Sequence, residues 1–321
     1  MDLLQIAGLT TRFLTPAGPL TAVDNLDLTV RQGRVLGLVG ESGCGKTITA
    51  LSVLRLVPPP GKITAGRILF EGTDLLTLPQ HEMRKIRGAR ISMVFQEPMT
   101  ALNPVFTIGN QIAEVITTHQ EVTAGDARDR SVELLRSVGI PSPEKRIGEY
   151  PHQLSGGMRQ RVMIAMAIAC RPSLILADEP TTALDVTIQA HILELLSRIQ
   201  AEMGMALVLV THDLGLIAER AHEVAVMYAG KIVEQTDTRT LFADPLHPYT
   251  RGLMNSLPRP GSTKRSRLNT IPGTVPRLAD LPAGCRFSPR CDLRTAQCDA
   301  EPGLVEVRPG HLVRCWNWQK K

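Results

Sequence analysis

Aromatic residues are scarce in this chain of 321 residues, which holds 6 Phe, 3 Tyr and 2 Trp. A core with so few rings must be aliphatic, and an aromatic platform for single-stranded nucleic acid is not expected. Long apolar runs are missing too. None approaches the roughly 18 residues that span a bilayer, and Val162 to Cys170, the longest helical candidate of that kind, is much shorter. The opening Met1-Asp2-Leu3-Leu4 has an acid where a secretory signal carries basic residues, and no apolar segment follows it. There is no internal repeat and no low-complexity tract. With 43% hydrophobic and 21% charged residues the chain is not a disordered one. It is expected to be cytosolic, or to dock on a membrane without entering it.

Charge and cysteine are unevenly spread. Residues 251–321 hold 13 basic and 5 acidic residues, a net +8, whereas residues 1–250 hold 23 and 26, a net −3. A basic tail suits nucleic acid, anionic headgroups, a bound anionic cofactor or plain solvent. Cys44 and Cys170 stand alone, while Cys285, Cys291, Cys298 and Cys315 crowd the end of the chain. In a cytosolic protein such a cluster reads as a metal or cofactor site before it reads as disulfides.

The order of elements points to an α/β fold. Val35–Val39 is a short aliphatic strand, followed by a Gly-rich loop and a helix over Ile48–Leu56 that Pro58-Pro59-Pro60-Gly61 closes. Strand-like runs recur at Arg67–Phe70, Ile91–Phe95, Leu174–Ala177, Ala206–Val210 and Val224–Tyr228, the last entering a hairpin with Lys231–Glu234. Fully apolar strands between helices predict a parallel sheet covered on both faces. Between Gly109 and Tyr150 only helical periodicity is present, which predicts an inserted helical subdomain. From about Asp244 onward Pro258, Pro260, Gly261, Pro272, Gly273, Pro276, Pro282 and Gly284 punctuate an extension with weak secondary-structure signals.

Three motifs carry chemistry. Gly40-Glu41-Ser42-Gly43-Cys44-Gly45-Lys46-Thr47 matches G-x-x-x-x-G-K-[ST] between a strand and a helix. Its glycines let backbone N–H groups turn toward a phosphate, Lys46 supplies a point charge, and the Thr47 hydroxyl is a hard ligand for Mg²⁺. Leu174-Ile175-Leu176-Ala177-Asp178-Glu179 is a buried strand ending in two carboxylates. Asp178 is suited to Mg²⁺, and Glu179 to polarising a water against a γ-phosphate. Leu154-Ser155-Gly156-Gly157-Met158-Arg159-Gln160 opens a second helix with an anion-binding start, but no Lys accompanies it. That layout makes sense if a second chain completes the site.

This ordered set, with Gln96, Ala183-Leu184-Asp185 and His212, resembles the ATPase subunit of an ABC transporter over roughly residues 1–240. The resemblance implies a RecA-like parallel-sheet core, an N-terminal antiparallel β-subdomain and a helical subdomain. It also implies ATP held between the phosphate loop of one subunit and the Leu154–Gln160 motif of another. Gln96 then touches Mg²⁺ and the attacking water, and His212 the γ-phosphate. Asp185 crosses the dimer interface, and Phe13 falls near where the family stacks an aromatic on adenine. Thr15–Leu20 reads as a loop insertion beside it. Gln96–Pro104, Tyr150–Met158, Glu179–Thr187 and His247-Pro248-Tyr249-Thr250 resemble the branch that imports dipeptides and oligopeptides, to which importers of nickel, glutathione and D,D-dipeptides also belong. Extensions of that branch with matching cysteines resemble those that hold a [4Fe–4S] cluster. The C-x5-C-x6-C-x16-C spacing lacks the close pair usual for structural zinc and is not a ferredoxin pattern; following the resemblance, one [4Fe–4S] cluster on Cys285, Cys291, Cys298 and Cys315 is expected, with zinc as the alternative and unligated thiols also open.

The expectation is therefore an ATP- and Mg²⁺-dependent ATPase whose domain covers residues 1–243, with a helical subdomain at about 97–155. Residues 244–321 form an irregular Cys-rich extension. The expected partners are a second, non-identical ATPase subunit, two transmembrane permease subunits and a periplasmic or lipid-anchored binding protein, with no nucleic acid. The expected place is the cytoplasmic side of a bacterial inner membrane. The rival is a soluble ABC ATPase acting on ribosomes or DNA, which usually carries two ATPase halves in one chain or inserted zinc modules.

Overall fold

The computed structural model describes residues 1–182, 184–256 and 271–320. Ala183, Pro258, Pro260 and Gly261 lie outside them. The chain divides into two compact units, one of residues 1–76 and 209–321 and the other of residues 77–208.

The first unit opens with β1 (Asp2–Thr15) and β2 (Gly18–Arg31), two strands of 14 residues each. They are joined through Pro16 and Ala17 alone, so the expected insertion over Thr15–Leu20 is instead a tight hairpin. Thr15 pairs with Gly18, and the Thr15 hydroxyl donates to the Gly18 carbonyl at 2.7 Å. Proline presets the turn and Gly18 accepts a φ of 115°. The buried β3 (Val35–Val39) leads through residues 40–45 into α1 (Lys46–Val53). β4 (Gly61–Phe70) and the short β5 (Thr73–Asp74) complete an antiparallel sheet in the order β2-β1-β4-β5.

The second unit contains α2 (Gln80–Ile86), β6 (Ile91–Val94), α3 (Pro98–Ala101), α4 (Ile108–His119), α5 (Ala124–Ser137), α6 (Pro143–Arg146), α7 (Gly156–Ile168), β7 (Leu174–Asp178) and α8 (Val186–Met203). β6 and β7 are parallel, with Val94 opposite Ala177. Thr123 and Asp126 form a capping box that starts α5. The chain re-enters the first unit within β8 (Ala206–Thr211).

The rest of the first unit is α9 (Leu214–Arg220), β9 (Glu223–Tyr228), β10 (Lys231–Asp237), α10 (Thr238–Ala243), α11 (Pro248–Asn255) and the hairpin β11 (Val305–Arg308) and β12 (His311–Val313). β3 runs parallel to β9, with Val39 opposite Val226, and β9 turns back into β10. β12 then pairs with β10 through Glu234↔Val313 and Gln235↔Leu312. The extension thus contributes strands, where its sequence offers little apolar periodicity. The Glu234 carboxylate holds this junction together. It is fully buried, and it accepts from the Leu246 and His247 amides at 2.7 and 2.9 Å and contacts His311 Nε2 at 2.8 Å. Burial alone would raise its pKa, but these hydrogen bonds bring it below the usual carboxylate value.

Candidate functional site

In the first unit, β3 delivers the chain to a loop that closes over its own lysine. Gly40 lies so near β9 that a Cβ there would stand 2.1 Å from the Met227 carbonyl. Gly45, at the cap of α1, takes φ 107°, and its Cβ would meet the Ala22 carbonyl at 2.7 Å. No other residue type fits either position without moving backbone. Lys46 is only 5% exposed, and its ammonium donates to the carbonyls of Gly40 at 2.7 Å and Glu41 at 3.1 Å. Thr47 is half-buried, while Ser42 and Gly43 are exposed at the loop tip. Cys44 is fully buried, and burial pushes its thiol pKa up against the pull of the Lys46 charge. Its carbonyl accepts from the Gly230 amide at 2.8 Å. A buried cation beneath a glycine-rich, solvent-facing turn fits a polyphosphate, and the Thr47 hydroxyl is an oxygen of the kind Mg²⁺ takes. Phe13 is half-buried on β1, with its ring edge against Gly61. His212 follows β8 directly and is exposed.

In the second unit, strand register explains a meeting of two distant residues. Gln96 stands two positions beyond Val94, and Glu179 two beyond Ala177, the residue paired with Val94. Gln96 Nε2 accordingly donates to Glu179 Oε2 at 3.2 Å. Thr182 donates its hydroxyl to the same oxygen at 2.9 Å and its amide to the Glu179 carbonyl at 3.1 Å. Glu179 adopts the left-handed region with φ 43°, a conformation that costs a non-glycine residue energy and is held by the surrounding turn. Asp178 is 2% exposed at the end of β7. The motif at 154–160 lies beside the start of α8. Ser155 caps α7 by accepting from the Met158 amide at 3.3 Å. A Cβ on Gly157 would lie 2.8 Å from Ile188, and one on Gly156 would lie 3.4 Å from Leu184. Asp185 is exposed and caps α8, accepting from the Ile188 amide at 2.9 Å. Leu154 and Gln160 are buried, Met158 and Arg159 half-buried. Thr182 has no motif role of its own in the sequence, because only the folded turn brings it back to Glu179.

The ABC transporter family profile matches residues 23–182, and that of the oligopeptide/dipeptide transporter C-terminal region matches residues 233–298. The dipeptide transport ATP-binding protein DppD of Escherichia coli is 49% identical over 98% of this chain and 96% of its own length. DppD of Haemophilus influenzae is 52% identical over 98% and 95%. The chain belongs to the ATP-binding subunits of ABC transporters. Among solved structures, the dimeric post-hydrolysis state of the ATP-binding cassette MJ0796 bound to ADP and Pi is similar, with a TM-score of 0.67 and 27% identity. The match covers 74% of this chain and 99% of that one. The fold is that of an ABC ATPase with mixed α/β sheets, and the activity is ATP hydrolysis coupled to transport. No helix among the described residues is long and apolar enough to cross a membrane.

Cys285, Cys291, Cys298 and Cys315 lie near one another in the first unit. The Cys285 amide donates to the Cys298 carbonyl at 2.9 Å. Asn317 donates its amide to Cys315 Sγ at 3.3 Å and its side chain to Cys298 Sγ at 3.6 Å. Burial, helped by the neighbouring thiols, pushes the pKa values of Cys291 and Cys315 up to about 11, and burial raises that of Cys285 as well. No disulfide joins them, and among the described residues no group of three or more His, Cys, Asp or Glu side chains has the arrangement of a metal site. The cysteines lie near one another, but the described residues show no metal site there and do not support the expected [4Fe–4S] or zinc site.

Proposed function

We propose that the chain powers the import of dipeptides or oligopeptides, working with membrane permease subunits from the cytoplasmic side of a bacterial inner membrane. The observation that carries the peptide reading is the match to the oligopeptide/dipeptide transporter C-terminal region, over residues 233–298. Near-full-length identity to dipeptide transport ATP-binding proteins supports it. The same branch leaves nickel, glutathione and D,D-dipeptides as alternative cargo. Residues 1–243 act as the ATPase domain, with a helical subdomain at about 97–155, and residues 244–321 as the extension.

In this reading Lys46 and the 40–47 backbone bind the phosphates of ATP, and Phe13 lies toward the adenine. Thr47, Asp178 and Gln96 hold Mg²⁺, which neutralises phosphate charge when bound. Glu179 accepts a proton from the attacking water at its carboxylate, while Gln96 and Thr182 orient it. His212 faces the γ-phosphate. Leu154–Gln160 and Asp185 serve the nucleotide of a second, non-identical ATPase subunit, with a binding protein delivering cargo to the complex. The test is to purify the intact complex from membranes, identify each chain, and measure ATP hydrolysis with the binding protein and candidate cargo. Di- and oligopeptides should stimulate it. Stimulation by nickel or glutathione and not by peptides would overturn the peptide reading, and co-purification with ribosomes would overturn the transport setting.

We also infer that Cys285, Cys291, Cys298 and Cys315 take up one [4Fe–4S] cluster, supported by four gathered thiols, two of them receiving amide hydrogen bonds. Anaerobically purified protein should contain about four iron and four sulfide per chain. Replacing any one of the four by Ser should remove most of both, and Cys44→Ser or Cys170→Ser should not. Stoichiometric zinc without sulfide would replace the cluster by a zinc staple, and protein without metal would end both readings.

A further inference from the structure

The second residue of the phosphate loop is gripped from the extension. Arg290 Nη1 and Nη2 donate to the two carboxylate oxygens of Glu41 at 2.7 and 3.0 Å, the paired geometry that a guanidinium alone offers. Arg290 is only 9% exposed. Its Nε donates to the Pro272 carbonyl at 2.8 Å and its Nη2 also to the Gly273 carbonyl at 3.3 Å, so the fork has one orientation. The Tyr228 ring lies 5.8 Å from the guanidinium carbon, a cation–π distance. Burial would lower the Arg290 pKa, but the Glu41 and Tyr228 hydrogen bonds raise it, so the cation is permanent.

Glu41 is held at a second point. Its amide donates to the Tyr249 hydroxyl at 2.9 Å, and Tyr249 is fully buried. Tyr228 packs edge to face on Tyr249 and Phe287, which lie tilted against each other, with centroids 4.7 to 5.4 Å apart. In a chain with so few rings, this cluster is a rigid abutment for one loop residue. The Glu41 carbonyl, in turn, accepts from the Lys46 ammonium. A continuous set of contacts therefore runs from Arg290, the neighbour of Cys291, to the atom proposed to meet the phosphates.

We propose that Arg290 is a positioning residue for ATP: by fixing Glu41 it fixes the backbone carbonyl that aims Lys46. This inference rests on the reading of residues 40–47 as the phosphate site. It makes the extension part of the nucleotide-binding apparatus of its own chain. Pre-aiming the ammonium helps ground state and transition state alike, so its loss belongs in KM more than in kcat.

The test measures equilibrium Mg·ATP binding to the full-length chain, and KM and kcat in the reconstituted transporter. Arg290→Met should weaken ATP binding about tenfold and raise KM similarly, with kcat within about twofold. Arg290→Lys should fall between, because an ammonium keeps the charge and loses the fork. Glu41→Gln should also weaken binding, and adding Arg290→Met to it should change affinity by less than about threefold, since the pair is already broken. Arg294→Met, which removes an exposed pair with Asp299 in the same extension, should bind ATP normally. Wild-type affinity in Arg290→Met would overturn the proposal, as would an equal loss in Arg294→Met. If Arg290→Met does not fold, Glu41→Gln decides, and wild-type affinity there overturns it. Lys46→Ala runs alongside: unchanged binding in that variant removes the phosphate-site reading itself, whereas lost binding there with normal Arg290→Met refutes only the role of Arg290.

Discussion

Lys46→Ala should leave a folded protein that no longer binds ATP productively. The ammonium is nearly dry and already satisfied by two carbonyls, so it occupies a fixed place before any ligand arrives. A charge-assisted hydrogen bond to phosphate contributes about 1.5–3 kcal/mol. Coulomb attraction to a polyphosphate in a site of reduced dielectric adds to it. Losing both corresponds to an affinity drop of roughly two orders of magnitude or more. The carbonyls of Gly40 and Glu41 would also lose their donor, which loosens the loop. Calorimetric titration with Mg·ATP and the hydrolysis rate of the assembled transporter both read this out. Unchanged affinity would mean that the glycine-rich turn does not hold the nucleotide.

Glu179→Gln should do the opposite, keeping ATP and losing turnover. The amide can still accept the Thr182 hydroxyl bond, and its side chain has the same length. Glutamine also tolerates the left-handed backbone at this position as well as glutamate does, so the variant changes chemistry with little change in strain. What it cannot do is take a proton from water. A positioned general base contributes about 10²- to 10⁴-fold, and hydrolysis should fall within that range while Mg·ATP still raises thermal stability. A rate within about twofold of wild type would place the base on another residue.

The residues that bear on function differ in how visible they are in the sequence. The 40–47 loop is legible because polyphosphate chemistry demands glycines, a lysine and a hydroxyl at fixed intervals, and the flanking Val35–Val39 strand is apolar throughout. The buried strands β7 and β8 are legible for the same reason, being hidden on both faces. β1 and β2 are not. Their alternation is broken by register shifts between Ile6 and Leu9 and between Leu9 and Thr11, so a period of two is lost locally. The extension hides more. Its strand pairing, β12 on β10, joins residues about eighty positions apart, and although Lys231–Glu234 reads as a hairpin arm, the short β12 carries no pattern of its own. The contacts of Arg290 and Tyr249 with Glu41 are invisible for a related reason. An arginine between a proline and a cysteine, and a tyrosine after His-Pro, look like surface residues until the fold turns both onto Glu41.

The pairing of β12 with β10 has a consequence for anyone trimming this protein. A cassette cut back to the ATPase domain would leave β10 with a row of unanswered amides and carbonyls, an open invitation for a strand from another molecule. It would also strip the Leu246 and His247 amides and His311 from a carboxylate that is fully buried in the intact chain. The shortened protein would therefore tend to precipitate, and its poor behaviour would say nothing about whether the tail takes part in transport.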